Sequence, residues 1–209
     1  MNSIQNNNVV NGIDVQVWHR TLCEVTPWLV ISGDLPFKLN EARVKLNEWV
    51  DAGVTDIVDL REEWSDEDFV REEAPDITYH YMGTHDNGTH QSAKLFERGI
   101  KAMRAARKNE NAKLMVHCHM GINRGPSMAF AMLLDDGYGV VEALDMIRNA
   151  RPIAGIIYAD DAIRAVGKMH GRDNDDIIED VWRAQDWFEL NEISISNIIR
   201  RIRQQGEEE

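Results

Sequence analysis

A single strand–loop–helix pattern constrains the fold and the chemistry of this chain more than any other feature. The apolar stretch Leu114–Val116 leads to Cys118, and Arg124 follows after five further residues. Pro126 then opens a second apolar stretch, and proline suits the start of a helix because its missing N–H needs no partner there. The pattern therefore predicts a buried strand, a tight loop and a helix over about residues 126–136.

The loop between Cys118 and Arg124 has the composition of an anion-binding site. It contains no proline, so every residue keeps a backbone N–H donor, and Gly121 permits a close approach. N–H groups that converge at a helix N-terminus bind phosphate, which would then lie against the cysteine sulfur. Arg124 adds a planar fork for two phosphate oxygens. The pattern predicts phosphoryl transfer to a thiolate, with a phosphate-binding loop made of His119, Met120, Gly121, Ile122, Asn123 and Arg124.

Residues 117–124 match the signature His-Cys-x5-Arg, so the sequence resembles the cysteine-dependent protein tyrosine phosphatases. It resembles more narrowly the dual-specificity phosphatases, because the signature lies past the middle of 209 residues and segments 28–34 and 53–60 also fit. The resemblance covers about residues 22–170. It implies an α/β fold with a central mixed β-sheet flanked by α-helices. His117 is expected to position the backbone of the cysteine.

The resemblance also implies a carboxylic acid on a loop some thirty residues before the cysteine. Asp86 lies 32 positions before Cys118, after a predicted strand, and would protonate the leaving oxygen. An ordinary turn aspartate is the alternative interpretation, and Asp76 is a competitor at the other end of that strand. In the implied mechanism Cys118 accepts the phosphoryl group, and Asp86 then activates the water that hydrolyses the phosphocysteine. No metal and no organic cofactor is required.

One position departs from the family pattern. A serine or threonine usually follows the arginine and stabilises the departing thiolate, whereas this chain has Gly125 there and its nearest hydroxyl on Ser127. Two interpretations stay open: Ser127 is a catalytic residue that supplies the hydroxyl, or it is a helix-start serine. Arg61 follows a predicted strand and could border the pocket, but a surface ion pair with the adjacent glutamates is the favoured interpretation.

Apolar periodicity predicts the remaining elements and the domain organisation. Strands are expected over 13–17, 28–31, 54–60 and 77–82, and helices over 41–52, 93–108, 140–150, 159–170, 177–190 and 193–202. We expect a disordered N-terminus at 1–12, a catalytic domain at 13–171 and a C-terminal helical extension at 172–209, with a linker at 172–176. The extension either packs on the domain or provides self-association through 177–203.

Charge and composition narrow the partners. A net charge of −13 disfavours nucleic acid and anionic membranes, and no apolar run is long enough to span a bilayer. Two cysteines, with Cys23 as a packed thiol, and the lack of a signal peptide indicate the cytoplasm. The expected partner is a phosphorylated protein or peptide, with phosphotyrosine ahead of phosphoserine and phosphothreonine. The alternatives are a phosphatase of nucleotides, RNA or phosphoinositides, a rhodanese-type sulfurtransferase, and a catalytically weak phosphate-binding module.

Overall fold

Strands and helices alternate along most of the chain. The structure is a computed structural model that describes residues 9–10, 12–14 and 18–206. The strands are β1 (Val9–Val10), β2 (Ile13–Asp14), β3 (Cys23–Thr26), β4 (Leu29–Ser32), β5 (Asp56–Arg61), β6 (Thr78–Thr84) and β7 (Leu114–His117). The helices are α1 (Leu39–Asp51), α2 (Glu67–Glu73), α3 (Ala93–Ala106), α4 (Arg124–Asp135), α5 (Val140–Ala150), α6 (Ala159–Met169), α7 (Asn174–Leu190) and α8 (Ile195–Gly206).

The central sheet has the strand order β3-β4-β7-β5-β6. Strand β3 runs antiparallel to β4, and the other neighbours are parallel, so the predicted mixed sheet flanked by helices is confirmed. Strand β7 is the middle strand, and Cys118 follows its last residue. The parallel strands β4, β5 and β6 end at the same edge of the sheet. Ligands of open α/β sheets bind at that edge, which makes it the expected position of the site.

The central strands are apolar on both faces because helices cover both faces. Alternate side chains of β4, β5 and β7 face a core shared with α3, α4, α5, α6 and α7. The intervening residues, Val30, Ile57 and Met115, face a second core built with α1 and α2. This alternation follows from the two-residue period of a strand. It explains why β4 and β7 begin in the sequence as continuous apolar runs.

Several predicted boundaries differ from the observed ones. Helix α4 begins at Arg124, two residues earlier than predicted, and Pro126 still lies in the first turn, where its N–H is not needed. Most of the predicted linker 172–176 belongs to α7, because Asp173 accepts a hydrogen bond from the Asp175 N–H at 2.9 Å and caps that helix. Strand β3 and helix α2 were not predicted by the sequence pattern.

The C-terminal extension packs on the domain, as the first of its two interpretations has it. Helix α7 places Ile177 against Gly167 of α6 and donates a hydrogen bond from Trp187 Nε1 to Asp145 of α5 at 2.7 Å. Helix α8 buries Ile198 and Ile202 against a cluster that includes two residues of the predicted phosphate loop. Self-association through 177–203 stays a prediction.

Part of the predicted disordered N-terminus falls outside the described residues, namely 1–8 and 11. Val9 and Val10, in contrast, pair with Ile13 and Asp14 as antiparallel strands, which differs from the prediction for those residues. Residues 15–17 of the first predicted strand also lie outside the described part. No helix within the described ranges is long and apolar enough to cross a bilayer.

Candidate active site

A cavity of about 320 Å³ opens beside the end of β7. Cys118 lines it together with Arg124 and most of the predicted phosphate loop. Asp86, from the connection between β6 and α3, lines the same cavity, so the structure brings the three principal predicted residues together. Cys118 itself is almost fully buried, with 2% of its surface exposed.

Hydrogen bonds from surrounding residues to the carbonyl groups hold the backbone of the loop in place. Every carbonyl oxygen from His119 to Asn123 accepts a hydrogen bond. The N–H groups of Asp34, Gly155 and Ser127 donate to the carbonyls of His119, Ile122 and Asn123, respectively. The Arg151 guanidinium donates to the carbonyls of Met120 and Gly121. The peptide bonds of the described residues are trans, and in a trans peptide the N–H points opposite to the C=O. The N–H groups of residues 120–124 therefore point away from the donors that hold these carbonyls, which is the arrangement expected if they face the cavity.

Arg151 is the largest single anchor of the loop. Its side chain is completely buried and donates to the carbonyls of Gly121 at 2.6 Å and Met120 at 3.0 Å. It also donates to His19 O, at 3.0 Å, and to Cys23 Sγ, at 3.4 Å. Burial lowers the pKa of Arg151, but an arginine starts so high that it stays charged.

Gly121 is required where the loop meets this anchor. Its φ is +62°, in the left-handed region that glycine adopts without strain. A Cβ at this position would lie 2.4 Å from Arg151 Nη2 and 2.5 Å from Ser32 O. The predicted mid-loop role of Gly121 thus has two physical causes, backbone conformation and close packing against buried atoms.

Arg124 has one occupied edge and one available edge. Nη1 and Nη2 donate to the two carboxylate oxygens of Glu63 at 2.9 and 2.8 Å, and Nη1 also donates to Thr84 O at 3.0 Å. Nε is buried and has no hydrogen bond to any described residue, although Asp86 Oδ2 lies 3.3 Å away. The Nε–Nη2 edge is therefore the side on which an oxyanion in the cavity would be bound.

Glu63 and Arg124 form a charged pair. Burial tends to raise the pKa of Glu63, but the hydrogen bonds from Arg124 outweigh that effect and lower it to about 2. Burial likewise opposes the charge of Arg124, and the bonds to Glu63 with the nearby negative charges raise its pKa. Both groups stay ionised at neutral pH, so Glu63 fixes the plane of the guanidinium without neutralising its free edge.

Asp86 is positioned by two donors on the same oxygen. Its Oδ1 accepts from Asn123 Nδ2 at 2.6 Å and from the Tyr158 hydroxyl at 2.8 Å. Tyr158 in turn accepts from the Gly88 N–H at 3.0 Å, and Asn123 Oδ1 accepts from the Ile157 N–H at 2.7 Å. These bonds tie the Asp86 loop to the phosphate loop and leave Oδ2 in the cavity beside Arg124.

Sequence comparison identifies the family to which this arrangement belongs. The family model of the dual specificity phosphatase catalytic domain matches residues 40–157, which is more than half of the chain. The chain belongs to the dual-specificity phosphatases. This phosphatase is a hydrolase by that membership. No curated protein sequence matches it at a significant level.

Solved structures agree with this assignment at the level of the fold. Human DUSP28 has a TM-score of 0.54 at 22% identity, covering 70% of this phosphatase and 90% of that chain. A mouse putative dual specificity phosphatase complexed with zinc tungstate has a TM-score of 0.58 at 21% identity, covering 72% and 89%. PTPMT1 in complex with PI(5)P has a TM-score of 0.57 at 16% identity, covering 78% and 98%.

Arg61 is not on the surface: it is fully buried and donates to Asp59 at 2.7 and 2.9 Å and to Asp66 at 2.6 Å, so the expected surface ion pair was wrong. This pairing holds the connection that carries Glu63 into the cavity.

His117 lies behind the loop, 5.4 Å from the Trp49 ring, and burial lowers its pKa to about 4, so the ring is neutral. Its positioning role stays a prediction.

The sequence analysis did not find three residues that shape the site: Glu63, Arg151 and Tyr158. Glu63 carried a weak signal, since it closely follows a predicted strand that ends at the active edge of the sheet. Arg151 and Tyr158 lie after the signature, in a connection with no periodic pattern. Cys23 is a buried free thiol that donates to Thr21 O, consistent with the packed thiol that was expected.

The hydroxyl of Ser127 has a partner other than the sulfur in the structure. Its Oγ accepts from the Tyr158 N–H at 3.3 Å, and its own proton remains for another acceptor. A Cβ on Gly125 would lie 3.4 Å from Cys118 N, so a side chain at that position stands next to the Cys118 backbone. Both interpretations of Ser127 therefore stay open, and the departure at Gly125 can be tested directly.

If Ser127 does not reach the Cys118 sulfur, we expect this phosphatase to show a burst of product in pre-steady-state assays, because Gly125 supplies no hydroxyl to stabilise the departing thiolate. If Ser127 does reach it, Ser127→Ala should enlarge the burst. Gly125→Ser should shrink the burst and raise kcat roughly tenfold, the effect of one hydrogen bond to a charged group. Gly125→Ala is the matched control, since it adds the same Cβ contacts without the hydroxyl. Rapid-quench kinetics with p-nitrophenyl phosphate measure the effect, and an equal gain in both variants would contradict the explanation.

Proposed function

We propose that this phosphatase hydrolyses phosphotyrosine in proteins, with phosphoserine and phosphothreonine as further substrates, through a phosphocysteine intermediate on Cys118. The observation that carries the proposal is that every carbonyl of residues 119–123 is held by a hydrogen bond, from which we infer that the N–H groups of residues 120–124 face the cavity that Cys118 lines. Such a set of donors stabilises the negative charge of a thiolate and of phosphate oxygens alike.

In the proposed binding step, phosphate oxygens accept hydrogen bonds from these N–H groups and from the Nε–Nη2 edge of Arg124. Glu63 holds the opposite edge of Arg124, so the guanidinium is oriented before substrate arrives. A donor that is already oriented costs no reorganisation when the transition state forms. Arg124 therefore binds the substrate and stabilises the equatorial oxygens during transfer.

The proposed chemistry has two displacements at phosphorus. The Cys118 thiolate forms an S–P bond while the bond from phosphorus to the tyrosine oxygen breaks, and Asp86 gives its proton to that leaving oxygen. Water then attacks phosphorus, Asp86 takes a proton from it, and the S–P bond breaks to return the thiolate. Asp86 Oδ2 suits this role because Oδ1 is occupied by Asn123 and Tyr158.

Cavity size and composition support an aryl phosphate. A volume of about 320 Å³ lies at the lower end of small-molecule pockets, roughly 300–1,000 Å³. Ile157, Ile195 and Ile199 line it, so the phosphate end is polar and the wall is apolar. The loop also contains no lysine between Cys118 and Arg124.

We further propose a reducing compartment such as the cytoplasm, where the free Cys118 stays active.

Parallel assays test this substrate assignment. Phosphotyrosine peptides should give a higher kcat/KM than phosphoserine peptides, a short-chain phosphoinositide or a nucleoside monophosphate. Thiosulfate should not be turned over. Turnover would indicate a rhodanese-type sulfurtransferase, a class in which Asp86 would have no role as a proton donor. A higher kcat/KM for the phosphoinositide would contradict the protein assignment and leave the phosphatase chemistry in place.

Asp86→Asn should lower kcat for phosphotyrosine peptides by about 10²–10³-fold. Asparagine keeps an oxygen for Asn123 and Tyr158 but carries no proton for the leaving group. The loss should be smaller for p-nitrophenyl phosphate, whose leaving group needs less protonation, and the part of the pH profile that depends on a protonated acid should disappear.

Asp76→Asn is the matched control, since Asp76 is exposed and precedes β6 at its far end. Its kcat should equal that of the wild type. If Asp86→Asn lowered kcat equally for both substrates, the residue would act on the fold of the loop and not as a proton donor.

A further inference from the structure

The C-terminal helix α8 forms part of the active-site cavity. Ile195, Ile199 and Arg203 all line it. These residues are four apart, so they share one face of the helix. The family model ends at residue 157, well before α8 begins, so this wall is not part of the matched family core.

Helix α8 is fixed to the phosphate loop by apolar packing. Ile198 and Ile202 are buried against Met120 and Ile122 of the loop and against Ile153. A Cβ on Gly155 would lie 2.7 Å from Ile195 Cδ1, which shows how closely the first turn of the helix approaches the loop support. The same packing that supports the loop therefore also sets the position of the cavity-facing side chains.

The cavity face of α8 changes from apolar to cationic along the helix. Ile195 lies next to the loop, and Arg203 follows two turns later, about 12 Å along the axis at 1.5 Å per residue. Helix α8 contains three arginines and no acidic residue, in a chain of net charge −13. Arg203 has no hydrogen bond or ion pair to another residue within the described ranges, and its side chain is exposed. Within the described part of the chain, no acidic group competes with an anion for its guanidinium at the cavity entrance.

We propose that Arg203 is a specificity-determining residue that binds an acidic side chain adjacent to the phosphotyrosine of a peptide substrate. Ile195 and Ile199 contact the phosphotyrosine ring between the phosphate loop and Arg203. This inference rests on the proposed function, because it requires a peptide as the substrate. A peptide is favoured over a lipid surface because an extended anionic membrane faces the repulsion of the whole acidic chain, whereas an acidic peptide side chain places its charge next to α8, which carries three arginines and no acidic residue.

Three phosphotyrosine peptides of equal length test the proposal, with Glu, Gln or Lys on both sides of the phosphotyrosine. The wild type should prefer the Glu peptide over the Gln peptide by about threefold to tenfold in kcat/KM, mainly through KM, as for a partly exposed charge pair. Arg203→Gln should reduce this ratio to about one, Arg203→Lys should retain most of it, and Arg203→Glu should reverse the preference toward the Lys peptide.

Arg200→Gln is the matched control, because Arg200 lies on the same helix, bonds to Asn197 and does not line the cavity. It should keep the wild-type ratio. The role of Arg203 would be overturned if the wild type showed no preference, or if the ratio were unchanged in Arg203→Gln. It would also be overturned if Arg203→Gln lost activity equally on all three peptides. An Arg203 effect found only with a short-chain phosphoinositide bisphosphate would overturn it too. A wild type that hydrolyses p-nitrophenyl phosphate but none of the peptides would instead refute the protein substrate itself.

Discussion

Cys118→Ser is expected to lower kcat at least about 10⁴-fold on p-nitrophenyl phosphate and on phosphotyrosine peptides. A hydroxyl at this position is not ionised at neutral pH and cannot replace the thiolate as a nucleophile. The N–H groups of residues 120–124 and the free edge of Arg124 are unchanged, so inorganic phosphate should bind within a fewfold of its wild-type affinity. Steady-state kinetics and calorimetric titration with phosphate measure the two quantities separately.

Cys23→Ser is the control for this variant, because it removes the other buried thiol and retains a hydroxyl for Thr21 O and Arg151. Its kcat should stay within a fewfold of the wild type. In rapid-quench experiments with labelled substrate, the wild type should carry the phosphoryl label on Cys118. Turnover that persisted in Cys118→Ser, or a label on another residue, would refute the phosphocysteine mechanism.

The parts of the site that the sequence predicted are those determined within a short stretch of chain. Cys118, the loop and Arg124 lie between one strand and the helix after it, so their order alone brings them together. The register of β7 between β4 and β5 then places them at the active edge of the sheet. Asp86 required the family spacing as well, because nothing in an Asp-Asn-Gly turn distinguishes an acid from a solvated aspartate.

The residues that escaped prediction depend on tertiary packing between distant segments. Arg151 reaches the loop from thirty residues downstream, and Glu63 reaches Arg124 from 61 residues upstream. No local pattern marks either contact. Arg61 was wrongly placed on the surface because adjacent glutamates suggested partners. Its actual partners, Asp59 and Asp66, are near in sequence, but its burial depends on the position of β5 between β7 and β6. Helix α8 was predicted as an element, but its position over the cavity follows from packing alone.

Arg151→Met should have a large effect on both stability and activity, because it removes the group that holds two loop carbonyls in place. Methionine fills much of the volume but leaves the carbonyls of Met120 and Gly121 buried without a donor, at about 1–3 kcal/mol each. We expect the free energy of unfolding to fall by about 3–5 kcal/mol and Tm by about 10 °C. The N–H groups of the loop lose their inward orientation, so kcat/KM should fall more than about 10²-fold. Activity is measured well below the Tm of the variant, which separates the local effect from unfolding.

Arg148→Met distinguishes a loop anchor from general destabilisation. Arg148 lies one turn earlier on α5, where it packs over Trp187 and donates to Asn191 O at 2.9 Å, away from the loop. Its loss should lower Tm while kcat/KM below Tm stays close to wild type. Arg151→Lys should recover part of the stability, because it restores the charge, but only part of the phosphate affinity, because a lysine lacks the planar fork that spans two carbonyls. If Arg151→Met bound inorganic phosphate as tightly as the wild type, the result would contradict the idea that the hydrogen bonds from Arg151 to the two carbonyls orient the N–H groups of the loop.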